Sequence, residues 1–435
     1  MIRMSRRIGA RSAFSSLAMA LALSCGTVAL TGIVAPAAVA QDKNSKGFGA
    51  AYNAIMPSKR GEDPDWNVVK GQFGTLEAAI ENEQDRYIAG QVILQAGNSL
   101  TDPSLQRKGL SMMLNSGKVA PEDVGRFQFF VGSLAFNARD YAAARTALQA
   151  ASVAGFTDQD PRGLIAESYF QEGNAQQGVS YIKDLAGQVS AAGNTVPEEW
   201  LLRALQGAYD NNMVDAGTEV ALMLVEQHPS AENFSNATQI ANGLHDYSPQ
   251  VQLDLLRLLR LTSGLPAREY SVLYIENADP RIMSNEVVDV LAEALAAGQF
   301  QTSDSYYVDV KNIADGRTAQ DRADAPGLVT EAVNKSDASS ALIAGDVNYS
   351  IENFAEAERM YALAAERGGP SLDAALTREG MAQIHQGKYA EAIATLNGVT
   401  MGERPTIAAL WKAYAASKAT PAPPPAPAVT AAPAE

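Results

Sequence analysis

Small and apolar residues recur along this chain at a fixed spacing. Val131, Gly132 and Phe136 are followed by Tyr141, Ala144, Leu148 and Ala151; an advance of 34 residues reaches Ile165, Ala166, Phe170, Ala175, Gly178, Ile182 and Leu185. Small meets small and apolar meets apolar at each of those positions. Farther on, Gly345, Tyr349, Phe354, Ala357, Tyr361 and Ala364 map with a shift of 35 onto Gly380, Ile384, Tyr389, Ala392, Leu396 and Val399. Within each copy the apolar positions fall three and four apart, the period of an amphipathic helix, and they divide into two helices with a turn between. A small residue on the first helix (Gly132, Gly345, Gly380) lets the second approach, and Ala144, Ala357 or Ala392 is expected to meet it there. Aromatics beside the turn (Tyr141, Phe354, Tyr389) fill the gap that the turn opens. So short a pair cannot bury its own apolar face, so neighbouring pairs must stack.

Four copies are clear, at about 125–155, 159–187, 338–367 and 373–399. Trp200 to Pro229 and Tyr270 to Gly298 read as degenerate copies, and the leucine-rich run Leu253 to Leu261 reads as a buried helix. Residues 302–326 carry Asp, Ser, Arg and Asn without a clear period, which predicts an irregular insertion. The chain therefore divides into a helical cap region at 41–119, repeats at 120–230, degenerate helical repeats at 231–337, and C-terminal repeats with a capping helix at 338–419. Pro405 suits the first turn of that last helix, which carries Leu410, Trp411 and Tyr414 and is expected to seal the final repeat. The Pro/Ala-rich tail at 420–435 lacks the material for a packed core.

This pattern resembles the tetratricopeptide repeat, with the small-residue site, the turn aromatic and the second-helix alanine in register. The resemblance implies an all-α fold, a right-handed superhelical solenoid of antiparallel helix pairs whose first helices line a concave groove. It implies a scaffold for protein or peptide partners, the groove sites being Arg126, Phe129, Ser133 and Phe136, then Glu167 and Phe170, then Leu202, Gln206 and Tyr209, with Arg203 beside them. The alternative is that the rings Phe136, Phe170 and Tyr209 pack between neighbouring helices. Relatives that grip a terminal carboxylate use Lys and Asn at groove sites; here those sites hold Phe129, Ser133, Gly163 and Glu167, which argues against that mode. A polymer- or glycan-binding role in envelope biogenesis or export is the other functional reading, because one repeat fold serves many partners.

The N-terminus changes the picture. Arg3, Arg6, Arg7 and Arg11 precede an apolar stretch from about Phe14 to Val34, and Ala38-Val39-Ala40 supplies a small-x-small cleavage site. That is the layout of a signal peptide cleaved after Ala40, and it predicts a periplasmic or secreted protein with no stable membrane insertion once processed. An uncleaved anchor is the alternative. Ser5-Arg6-Arg7 is a weak match to a twin-arginine signal and Ala22-Leu23-Ser24 a poor lipobox, so the export route stays open.

Cys25 is the chain's single cysteine and lies in the leader, so the mature chain holds no disulfide, thiolate nucleophile or cysteine metal site. The formal net charge of −15 becomes more negative on losing four arginines, which disfavours nucleic acid and anionic lipid. The three histidines, His228, His245 and His385, form no HExxH zinc arrangement, and the chain has no Gly-rich phosphate loop or GxSxG elbow. Asp63-Pro64-Asp65-Trp66-Asn67 begins like a calcium loop but has Val68 where glycine is needed and Gly74 where an acid is needed. The reading is of a non-enzyme with no catalytic residue, cofactor or metal. Trp66, Trp200 and Trp411 are read as packing residues.

Overall fold

The computed structural model describes residues 43–56 and 64–419; the leader at 1–40 and the tail at 420–435 lie outside them. Among the described residues there are twenty-one α-helices, one short 3-10 turn and no strand. They fall into two compact units, 43–188 and 189–419, divided inside one helix.

The N-terminal unit holds α1 (Lys46–Ile55), α2 (Trp66–Gly71), α3 (Phe73–Ala78), α4 (Glu83–Ser99), α5 (Pro103–Asn115), α6 (Pro121–Asn137), α7 (Tyr141–Val153), α8 (Pro161–Gln171) and most of α9 (Ala175–Ala191). Local chemistry starts these helices where the sequence is polar. Asn82, Asp102, Asp140 and Asp160 accept backbone N–H groups at the starts of α4, α5, α7 and α8, and Pro103, Pro121 and Pro161 occupy first turns. Asp65, in the would-be calcium loop, caps α2 instead, accepting from Asn67 and Val68.

Its tightest pair is α4 on α5. A methyl added at Gly109 would lie 2.5 Å from the Leu94 backbone nitrogen, and one at Gly90 2.8 Å from the Gly109 carbonyl. Only glycine permits that approach.

The C-terminal unit continues with α10 (Glu198–Asp210), α11 (Val214–Gln227), α12 (Ala231–Leu244), α13 (Pro249–Ser263), α14 (Arg268–Ala278), α15 (Ser284–Ala296), α16 (Ser305–Asn334), α17 (Ala338–Ser350), α18 (Phe354–Arg367), α19 (Leu372–His385), α20 (Tyr389–Leu396) and α21 (Arg404–Ala419). Each packs on the next along the chain. The degenerate copies are thus real helix pairs, and Leu253 to Leu261 lies in α13.

The repeats share a turn. Arg139, Gly173, Glu352 and Gly387 have φ of 61°, 83°, 61° and 75°, and the following residue in each case donates its N–H to the carbonyl five residues back. This is the closing bond of a helix C-terminal motif, and it repeats at the spacing of the apolar pattern. The turn aromatics also behave alike: Phe136 meets Tyr141 and Tyr349 meets Phe354 edge-on, with centroids 5.6 and 5.3 Å apart.

The small-residue site needs one correction. The glycine is filled not by the second-helix alanine but by the residue one turn later. A methyl at Gly132, Gly345 or Gly380 would run into Leu148, Tyr361 or Leu396 at 2.5–2.6 Å. Ala144, Ala357 and Ala392 are fully buried at the helix crossing beside it.

Two larger expectations are also revised. Residues 302–326 are no irregular insertion: from Ser305 they belong to the 30-residue helix α16. Its buried side is a narrow stripe of Tyr307, Val310, Ala314, Asp321, Ala325 and Ala332, so few apolar residues mark it. Pairs four residues apart, Lys311–Asp315 and Arg317–Asp321, support the polar faces. One half packs against α14 and α15, the other against α17 to α19.

The capping helix α21, likewise, does more than seal the last repeat. It packs on α19 and α20 but also on α11 and α13. The Tyr414 ring meets Phe234 of α12 edge-on at 5.6 Å, and the Trp411 Nε1–H donates to the Asp254 carbonyl at 2.9 Å.

Candidate functional site

The groove residues expected from the repeat pattern divide between the two units. In the N-terminal unit, Phe129 is only 4% exposed and its ring sits 5.0 Å from Phe156; it belongs to the core and is withdrawn from the groove. Arg126 pairs with Asp123 at 2.6 Å. Glu167 is buried, and its carboxylate accepts from Gln171 at 2.7 Å. Phe136 is engaged by Tyr141, and the Phe170 ring rests on α9, where a methyl at Gly178 would come within 2.8 Å of it. In the C-terminal unit, Arg203, Gln206 and Tyr209 lie half-buried on α10. The Tyr209 ring covers Gly243 of α12, 2.8 Å from a methyl placed there. Each of the four rings therefore fills space between packed elements.

A different site emerges in the C-terminal unit, and α13 supplies its foundation. Within the run Leu253 to Leu261, Asp254 and Arg257 are buried although every neighbour between them is leucine. Three guanidinium groups converge on Asp254: Arg257 at 3.0 Å, Arg378 of α19 at 3.2 Å and Arg404 of α21 at 2.6 Å. Burial alone would push the Asp254 carboxyl up, but Arg378, Arg404 and Arg257 outweigh it and hold it at about 2. Arg378 is further gripped by Asp346 through two 2.8 Å bonds and by the Gln250 side-chain carbonyl at 2.6 Å. Arg257 forks onto Glu286 of α15 at 2.8 and 2.7 Å. Three carboxylates and three guanidiniums thus neutralise one another inside the unit.

Above this network a cleft of about 250 Å³ opens, lined by the ends or faces of α13, α14, α15, α17, α18 and α19. Its floor is buried: Arg257, Tyr274, Glu286, Tyr349 and Ser350. The Tyr274 hydroxyl donates to Glu286, and the Arg257 guanidinium lies 4.5 Å from the Tyr349 ring centroid. Burial opposes ionisation of Glu286, yet Arg257 and the Tyr274 hydroxyl hold its carboxyl below the usual range. The rim is exposed and acidic. Asp289 and Glu293 continue outward along the face of α15 that begins at buried Glu286, and Glu352 stands in the α17–α18 turn. Arg260 is forked by Glu293 at 2.9 and 2.7 Å. One wall is aromatic: the His385 imidazole stacks on Phe354 at 4.3 Å, and its Nε2 lies 2.9 Å from the Tyr349 hydroxyl. Burial of its inner edge, with Arg257 nearby, lowers the His385 pKa.

The sequence held a signal for this site that the repeat reading passed over. Asp254 and Arg257, three apart within a leucine run, should have marked a helix buried together with its charges. In the sequence, Tyr349 and Phe354 read only as repeat aromatics.

No protein-family model matches the chain, and no curated protein matches it. Among solved structures it is similar to a chain in the structure of Naa15/Naa10 bound to HypK-THB, at 11% identity and a TM-score of 0.25, covering 82% of this chain and 64% of that one. It is also similar to a chain of the APC/C hetero-tetramer Cut9–Hcn1, at 12% identity and a TM-score of 0.22, covering 75% and 66%. The chain thus spans about two thirds of each. The all-α assignment stands on the consecutive helix pairs themselves.

Proposed function

We propose that this chain is a tetratricopeptide-like binding scaffold that holds a segment of a partner protein, and that the cleft of the C-terminal unit is where it is held. The observation that carries the reading is an open cleft whose floor is fixed by a neutralised, buried ion network while its rim presents side chains to solvent. Rigid support beneath an adaptable edge suits recognition, because little ordering is left to be done on binding. A binding role is favoured over a catalytic one: both arginines of the cleft are forked by carboxylates, and the His385 Nε2 is engaged by Tyr349. We further propose that the protein works outside the cytoplasm, on the strength of the Arg-led apolar leader and its Ala38-Val39-Ala40 site; N-terminal sequencing that finds an intact Met1 would refute cleavage.

The test is photo-crosslinking in the native cell. A benzophenone amino acid replaces Leu261 on the cleft wall, and Val153, which is 91% exposed in the N-terminal unit, serves as control. The expected result is a discrete adduct from position 261 and none from position 153. Absence of any adduct from the cleft would sink the proposal.

A further inference from the structure

The charges around the cleft do not balance, and the remainder indicates what fits it. Two arginines and four carboxylates line it. Arg260 and Glu293 cancel, and so do Arg257 and Glu286. Asp289 and the Glu352 side chain are left with no hydrogen-bond or ion-pair partner among the described residues. A second, independent feature lies on the floor. Ser350, only 3% exposed, accepts the Glu286 backbone N–H at 3.2 Å, and its own hydroxyl proton meets no acceptor among the described residues. Buried donors are seldom left unpaired, so this hydroxyl is suited to an oxygen arriving from outside. The rings of Tyr274 and Tyr349 lie in the floor, and that of half-buried Phe354 stands between floor and rim.

We propose that the cleft selects a basic side chain of the partner segment, lysine or arginine, with its aliphatic stem against the rings and its charged head between Asp289 and Glu352. This rests on the scaffold reading and adds the chemistry of the partner. At about 250 Å³ the cleft is smaller than the roughly 300–1,000 Å³ typical of small-molecule pockets, and suits one long side chain. The Ser350 hydroxyl then donates to a backbone carbonyl of the segment. Selection works by exclusion as well as attraction. An acidic side chain would be repelled by two carboxylates that lack a direct ion-pair partner, and an apolar one would strip water from them without replacing it. The Asp289 carboxyl is already pushed up by burial, with Glu352 and Glu293 adding to the rise and Arg260 and Arg322 opposing it; a cation held between Asp289 and Glu352 relieves the repulsion that remains.

The experiment uses the processed full chain and four pools of heptapeptides, randomised except for a central lysine, arginine, norleucine or glutamate, with binding read by fluorescence anisotropy. The lysine and arginine pools should bind about tenfold more tightly than the other two, an advantage lost when the central lysine is acetylated. The double variant Asp289→Asn, Glu352→Gln should abolish the preference. Both residues are exposed on the rim, so a melting curve matching that of the parent is expected and confirms an intact fold. Equal binding of all pools, or a preference that survives the double variant, overturns the proposal. Competition by free cadaverine separates the sources: displacement of the lysine pool at matching concentration would mean a small-amine site, and would also overturn it. A cleft that crosslinks a protein in the cell yet shows no basic preference leaves the scaffold reading standing and removes this one; loss of both results removes both.

Discussion

In the N-terminal unit helices come together where side chains are missing; the C-terminal unit keeps that device, at Gly345 and Gly380, and adds ties of buried charge. Gly90, Gly97 and Gly109 let α4 and α5 touch backbone to backbone, and from α4 to α8 the strongest packing is between successive helices. Asp254, by contrast, joins α13 to α19 and α21 through Arg378 and Arg404, across 124 and 150 residues of sequence. The first device is local and works by shape. The second is long-range and works by neutralisation, so the C-terminal unit departs from the nearest-neighbour stability of a simple repeat array.

Breaking the hub should give the largest effect. Asp254→Asn leaves Arg404 without its partner and weakens the hold on Arg257 and Arg378, all buried or nearly so. Removing one member of a buried ion network costs about 3–5 kcal/mol. Hydrogen exchange read peptide by peptide should show protection falling throughout 198–419 while α4 to α7 keep theirs. A loss confined to α13 would contradict the closure.

Acid should expose the same contrast more gently. The Asp254 pKa of about 2 lies below the roughly 3.9 of an unfolded aspartate. Its stabilisation is therefore complete above about pH 4 and is lost as pH falls toward 2. That difference corresponds to about 2–3 kcal/mol, and the depressed Glu286 acts in the same direction. Denaturant titrations of the parent at pH 5 and pH 2.5 should differ by more than those of Asp254→Asn. Equal differences would mean that the hub carboxylate is not the acid-sensitive group.

The smallest effect sharpens the other half of the comparison. Gly109→Ala forces a methyl against the backbone of Leu94, an overpacking cost of about 1–3 kcal/mol, offset by up to about 1 kcal/mol of helix propensity. The loss should appear as reduced exchange protection in α4 and α5, leaving α13 to α21 unchanged. A stabilised variant would show that the two backbones can part at no cost.

What could be read beforehand follows from this division. Shape-based packing repeats in sequence, so Gly132, Gly345 and Gly380 and the turn aromatics announced the helix pairs. Neutralisation has no period. Nothing local tells Asp254 that its partners are Arg378 and Arg404, and the cleft above the hub was missed for the same reason. The groove reading meets a subtler difficulty: Phe129 is core and Phe136, Phe170 and Tyr209 lie against neighbouring side chains or helices, and periodicity alone does not distinguish a ring that fills a gap from one that waits for a ligand. Helix α16 is hidden by economy, since six buried residues in thirty, three of them alanine and one aspartate, hardly depart from a polar background.

The distance between Asp254 and its arginines also sets an order of events in time. At a synthesis rate of about 5–20 residues per second, the carboxylate is made roughly 8–30 s before Arg404 follows it, 150 residues later. During that interval α4 and α5 already have everything they need to pair, while α13 carries an aspartate whose counter-charges do not yet exist. A chain interrupted before α21 would hold that charge short of partners in a leucine-rich helix, open to proteases and chaperones. The arrival of α21 is thus recorded in the middle of the chain, where the charge of Asp254 finds its last counter-charge only when that helix has been made.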